Sequence, residues 1–324
     1  MTAPWREIFW RVLLSLQSRV HSPSLMKYIL SCSLCLVVAL SAAALAQDKP
    51  KGPPVPAGIS YVPEIEYGTG GGEKLRLDLA RPEKLEKAAP CIVVIHGGGW
   101  AGGNKQQHTD LIFKLAQQGY VAATVGYRLV PKQRFPAQVE DVKCAVRYLR
   151  AHADEHTLNP QLIGAVGFSA GAHLSMLLGT MGKDDGLEGM GGHADQSSQV
   201  QCVVAFFGPT DLTRTDFPAI SNGLVSNFLG STPEEDKGER KRASPITYLD
   251  AGDAPLLIFQ GTKDKLVPHT QATVMADAMT KAGVAGRIEL LIGADHGWGG
   301  AEIIRSWEES LRFFGAHLKP KPVK

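Results

Sequence analysis

Leu162-Ile163-Gly164-Ala165-Val166-Gly167-Phe168-Ser169-Ala170-Gly171 is an apolar run closed by a turn with a serine between two glycines. The G-x-S-x-G spacing is that of a nucleophile elbow, a tight strand-to-helix turn that holds its serine strained and exposed. Small residues are required at 167 and 171 because the chain crosses itself there and a Cβ would collide. Roughly 70 residues earlier a second apolar run, Cys91–Ile95, leads into His96-Gly97-Gly98-Gly99-Trp100. Bare glycine backbone in that position can aim N–H groups at developing negative charge, as an oxyanion loop does. A dinucleotide-type phosphate loop is excluded, since no third glycine stands at the spacing it needs.

Outward from these two strings the texture is regular. Cys91–Ile95, Val121–Val125, Leu162–Val166, Cys202–Phe207, Leu256–Phe259 and Ile288–Ile292 are short, continuous apolar runs, the signature of strands buried on both faces. Between them lie helical patterns at Leu111–Gln118, Val139–Leu149, after Ser169, at Thr270–Ala282 and at Ala301–His317. Strands alternating with helices predict an α/β fold with a mostly parallel, eight-stranded sheet and helices on both faces. Ile65–Tyr67 and Leu75–Ala80 flank Gly68–Gly72 and alternate apolar with polar, which predicts an antiparallel hairpin at one edge of that sheet. Two stretches break the alternation: the Gly/Asp/Ser-rich residues 182–198, and a mixed insertion over 209–253 with a weak helical signal at Leu224–Leu229. Both follow Ser169, so both are expected to overhang the mouth of a site built on it.

A serine hydroxyl is a poor nucleophile until a base lies within hydrogen-bond reach and a carboxylate orients that base. In such a sheet all three should leave from carboxyl ends of strands. Ser169 does so, at the start of a helix whose dipole favours an oxyanion. Asp264 follows Leu256–Phe259 through a Gln260–Lys263 turn, and His296 follows the last run, completing the order Ser, Asp, His expected for this sheet type. Asp211 and Asp253 are rivals for the acid; Asp211 is better placed to shape a pocket wall. His173 shares a helix with Ser169 and would lie along its axis rather than face the hydroxyl, whereas His96 is read as a stabiliser of its loop and Trp100 as its brace. The expected oxyanion donors are the N–H groups of Gly97, Gly98 and Ala170. No metal-binding spacing occurs, and no cofactor is called for.

Residues 26–46 read as a secretory signal: Met26-Lys27, an apolar stretch, then Ala44-Leu45-Ala46, with cleavage expected after Ala46 and Met26 as an alternative start. Residues 47–58 form a Pro/Lys linker, and 59–324 are expected to make one domain, large enough to bury about 75% of its unfolded surface. The chain has a formal charge of +2, but Arg6, Arg11, Arg19 and Lys27 against Glu7 place that excess in the leader. The remainder is near neutral, which argues against a nucleic-acid partner, and after cleavage no membrane insertion is expected. Of five cysteines, Cys32 and Cys35 lie in the leader; Cys91, Cys144 and Cys202 read as buried thiols.

His96–Trp100, Lys105, Gly119-Tyr120, Tyr127-Arg128-Leu129, Phe135-Pro136-Ala137, Asp141, Gly167–Gly171, Ser244-Pro245, Asp264, Val267-Pro268 and His296-Gly297 together resemble the α/β-hydrolase superfamily. The likeness is to the hormone-sensitive-lipase-like esterases, in particular the bacterial feruloyl/acetyl esterase type, and extends over residues 60–317. It implies Ser169 as nucleophile, Asp264 as acid, His296 as base, and Gly97, Gly98 and Ala170 as donors. Phe168 departs from the polar residue, and Ala172 from the second glycine, that many such enzymes carry. With the leader, the resemblance implies a secreted or periplasmic serine carboxylesterase acting on short acyl esters, such as acetyl or feruloyl groups, small or polysaccharide-linked. An amidase or formamidase, a small peptidase, and an inactive binding protein on the same fold remain the alternatives.

Overall fold

The computed structural model describes residues 53–318 apart from residue 233; the expected leader and the first half of the linker lie outside the described residues. Strands β1 (Ile59–Gly70), β2 (Glu73–Pro82), β3 (Ala89–Ile95), β4 (Val121–Val125), β5 (Leu158–Phe168), β6 (Val203–Phe206), β7 (Leu256–Gly261) and β8 (Gly286–Leu291) form one sheet, ordered β1-β2-β4-β3-β5-β6-β7-β8. β1 and β2 pair antiparallel, as do β2 and β4, and every later pairing is parallel. The expected hairpin thus occupies one edge. Its strands run longer than the alternation alone outlines.

The helices of six or more residues are α1 (Thr109–Gln117), α2 (Ala137–Ala151), α3 (Ala170–Thr180), α4 (Ala219–Leu229), α5 (Lys237–Arg242), α6 (Thr270–Ala282) and α7 (Gly300–Leu318). The period of two along β3 shows why both faces need covering. Cys91, Val93 and Ile95 join a core that reaches α2, α3, α4 and α6, while Ile92 and Val94 join a second core with α1 and α7. All five side chains are buried, each apolar one contributing about 1.5–3 kcal/mol relative to exposure. Cys144 and Cys202 are likewise buried free thiols, and burial raises the Cys91 thiol to about 12, so these sulfurs act as packing groups. Among the described residues, no helix is long and apolar enough to cross a membrane.

β8 is less buried than the strands before it, and it carries Arg287 and Glu289. It is the far edge strand, with Leu290 39% and the adjoining Ile292 87% exposed, because among the described residues nothing pairs beyond it. The residue 182–198 loop, expected to overhang a site built on Ser169, supplies none of the lining of the cavity around that serine. α3 carries the chain from the carboxyl edge of β5 back across the sheet, so the loop that follows begins at the opposite edge. There Glu188 holds Lys143 and Arg147 of α2 at 2.9 and 2.6 Å. The insertion over 209–253, by contrast, does reach that cavity.

At the amino-terminal end of β7, Asp253 accepts a hydrogen bond from the Asp250 N–H at 2.8 Å, yet burial pushes its carboxyl up to about 7. Its folded-state affinity for a proton exceeds that of an unfolded aspartate, so its stabilising contribution is present below about pH 4 and lost as pH rises through 7. Asp253→Asn is therefore expected to raise Tm more at pH 8 than at pH 4. Equal shifts at both would show that Asp253 does not titrate in that window.

Candidate active site

The parallel part of the sheet begins centrally at β3, steps outward to β4, then returns past β3 to β5. Ligands in open α/β sheets bind where strand order reverses in this way, outside the carboxyl ends. His96 follows β3 and Ser169 follows β5 at that point, with Ile95 and Gly167 in register across the pair. The elbow itself is backbone packed on backbone. A Cβ on Gly167 would stand 2.1 Å from the Gly171 carbonyl oxygen, and one on Gly171 would stand 2.2 Å from that of Ile95. Gly171→Ala must displace main chain rather than a flexible side chain. A loss above about 4 kcal/mol, comparable with a whole domain's stability, is expected, read as loss of soluble protein or of cooperative melting.

Ser169 sits at φ 52°, ψ −120°, a strained position for a residue with a Cβ, held by its N–H donating to Phe206 O at 2.9 Å. Its Oγ lies 3.0 Å from His296 Nε2, and His296 Nδ1 lies 2.8 Å from Asp264 Oδ2. The Asp264 carboxylate is fully buried. Oδ1 accepts the Leu266 and Val267 N–H groups at 2.8 and 2.9 Å, and Oδ2 also accepts from Gln260 Nε2 at 2.9 Å. Asp295 fastens the two loops together: its Oδ1 accepts the His296 N–H at 2.8 Å and the Lys265 N–H at 3.1 Å. These bonds hold the Asp295 carboxyl below its ordinary range.

Gly97, Gly98 and Ala170 line one cavity of about 690 Å³ with Ser169 and His296. Among the described residues, the Gly97 and Gly98 N–H groups donate to no protein acceptor, and that of Ala170, at the first position of α3, has no intrahelical partner. Three main-chain donors without a protein acceptor thus belong to residues that line one space. Gly98 and Gly99 have φ of 112° and 58°, which glycine adopts freely, and a Cβ on Gly97 would meet Phe168 O at 2.7 Å. His96 Nδ1 donates to Gly97 O at 2.8 Å and its ring stacks on Tyr127 at 4.3 Å, consistent with a stabiliser of the loop. Trp100 stacks on Phe228 at 4.3 Å and donates through Nε1 to His173 Nδ1 at 3.3 Å. His173 in turn donates from Nε2 to Ala243 O at 2.7 Å. Burial pushes the His173 imidazole down to about 4, so it serves as a neutral tie between the Trp100 loop and the insertion.

The rivals for the acid lie elsewhere. Asp211 turns away from the cavity to accept the Thr213 N–H at 2.9 Å, so it shapes no part of the wall; Pro209 and Phe217 do that instead. Asp253 stands at the other end of β7. Two contributors escape sequence reasoning. Gln260 belongs to β7 rather than to the turn after it, and braces Asp264. Phe207, at φ 47°, packs its ring 4.6 Å from that of His296. From α4, Ser221, Leu224 and Val225 close the cavity, and a Cβ on Gly99 would touch Leu224 at 3.0 Å.

Residues 77–279 match the family described as BD-FAE. The chain belongs to that family. It is 30% identical over 227 residues to esterase LipQ of Mycobacterium tuberculosis, 68% of this chain and 53% of that protein. A probable carboxylic ester hydrolase of the same organism, LipM, is 31% identical over 222 residues, 67% of this chain and 51% of its own. The chain thus spans about half the length of these curated relatives. Among solved structures, a truncated form of a carbohydrate esterase from gut microbiota superposes with TM-score 0.75 at 26% identity, over 83% of this chain and all of the other. An esterase from the planctomycete Thermogutta terrifontis superposes with TM-score 0.69 at 28% identity, over 85% and 99% of the two chains. The BD-FAE chain therefore has the α/β-hydrolase fold.

Proposed function

We propose that this protein is a serine carboxylesterase that removes short acyl groups, acetyl or feruloyl, from carbohydrate esters after export from the cytoplasm. The observation that carries the reading is the relay Ser169–His296–Asp264, at 3.0 and 2.8 Å, facing three unpaired main-chain N–H groups. Ser169 Oγ attacks the ester carbonyl while His296 Nε2 takes its proton. The carbonyl oxygen becomes an oxyanion and receives the N–H groups of Gly97, Gly98 and Ala170. Asp264 stabilises the imidazolium, which then returns the proton to the leaving alcohol as the C–O bond breaks. Water repeats the sequence on the acyl-enzyme and frees the acid. Under α4 the cavity is walled by Phe217, Leu224 and Val225, which supports a small or planar acyl group. Similarity to a carbohydrate esterase supports the alcohol side, and the Lys27–Ala46 leader supports export.

Turnover of p-nitrophenyl acetate beside octanoate, then of acetylated xylan and feruloylated arabinan beside formyl-kynurenine and dipeptide amides, tests this reading. Acetate above octanoate, with release from the polysaccharides, is the expected pattern. Amide turnover without ester turnover would overturn it.

A further inference from the structure

A second cavity, of about 470 Å³, lies between α1 and α7. It shares Gln107, His108 and Phe168 with the cavity at Ser169, and Phe168 is the residue next to the nucleophile. His108 stacks on Phe168 at 4.4 Å and 21° between planes, so the two rings form a saddle that borders both spaces. Burial pushes the His108 imidazole down to about 4, which leaves the saddle uncharged at neutral pH. Beyond it the floor is apolar, with Leu111, Leu311 and the half-buried ring of Trp307, 6.2 Å from Phe168. The rim is polar. Gln107, Lys114 and Gln117 stand there, and among the described residues their side chains have no hydrogen-bond or ion-pair partner. None of this lining comes from residues 209–253, which roof the Ser169 cavity instead.

An acyl chain or lipid tail is served by unbroken apolar walls. A pyranose ring has different needs: weakly positive C–H faces that settle on the negative face of an aromatic ring, and hydroxyls at its edge that require donors and acceptors. An aromatic floor bordered by free amides and an ammonium meets both. We propose that this groove is a carbohydrate subsite, holding the sugar residues next to the esterified one while the acyl group lies under α4. The inference rests on the ester-hydrolase reading of Ser169 and adds the alcohol side to it. It also accounts for Phe168, which departs from the usual polar residue: its ring is the step over which the sugar chain passes.

The test uses wild-type protein with Trp307→Ala and Leu111→Trp, the second of which fills the groove without removing its aromatic ring. Unesterified xylotetraose should bind wild type in isothermal titration calorimetry, and bind both variants more weakly or not at all. In kinetics, the ratio of kcat/KM for an acetylated xylo-oligosaccharide to that for p-nitrophenyl acetate should fall about tenfold in each, the loss of one good stacking contact. No response to xylotetraose in wild type, or a ratio unchanged because both substrates fall in parallel, would overturn the subsite. A selective loss of methyl ferulate turnover would overturn it too, by placing the acyl group in the groove. Failure of wild type on p-nitrophenyl acetate would instead strike the ester-hydrolase reading, so the two failures are distinguishable.

Discussion

Ser169→Ala is expected to lower kcat for p-nitrophenyl acetate on the order of 10⁶-fold, the loss seen when a serine hydrolase is deprived of its nucleophile. It should do so without harming the fold. The Ser169 side chain makes one hydrogen bond, to His296, which is itself part-exposed, and alanine has the same backbone penalty as serine at φ 52°. The elbow is held by the 167 and 171 glycines and by the Ser169 N–H to Phe206 O, none of which the substitution touches. A melting temperature within a few degrees of wild type, together with absent burst-phase p-nitrophenol, is the combined signature. A variant that kept substantial turnover would move the nucleophile elsewhere; one that failed to melt cooperatively would leave the chemistry to be read from covalent labelling of wild-type Ser169 by an organophosphate.

Much of this architecture is legible in the sequence because the governing signals are local. β4 and α6 coincide with their apolar patterns, and Ser169, Asp264 and His296 could be picked out because each follows an apolar run that ends at the same edge of a parallel sheet. What is not legible depends on neighbours far along the chain. The run at Ile288–Ile292, interrupted only by Glu289, reads as a strand like the central ones, yet β8 is exposed because among the described residues no ninth strand lies beside it. Residues 182–198 have the composition of a lid, but the three turns of α3 carry them to the wrong end of the sheet. Gln260 looks like an ordinary turn residue until β7 extends through it and its amide meets Asp264. Phe207 has no signal at all in its residue type: its left-handed backbone is seen only in the fold, where its N–H donates to the Phe259 carbonyl at 2.8 Å.

The environment of Asp264 leads to the second large effect. Asp264→Asn keeps size and shape but must choose which oxygen position becomes NH₂. Oδ1 faces two main-chain N–H groups, from Leu266 and Val267, which cannot turn away. The amide oxygen is therefore fixed there, and NH₂ takes the place of Oδ2, opposite His296 Nδ1 and Gln260 Nε2. Two donors then face donors. His296 resolves its half by moving its proton to Nε2, so that Nδ1 accepts from the new amide, and Nε2–H points at Ser169 Oγ, where it can no longer take the serine's proton. Gln260 resolves its half less well. Turning its amide brings the otherwise unpartnered Oε1 toward residue 264, but sets that oxygen against Val267 O, which Nε2 now serves at 2.9 Å. A fall in kcat of about 10⁴, the consequence of the wrong histidine tautomer, is expected with the fold retained. Turnover within about tenfold of wild type would mean that a group other than Asp264 orients the imidazole.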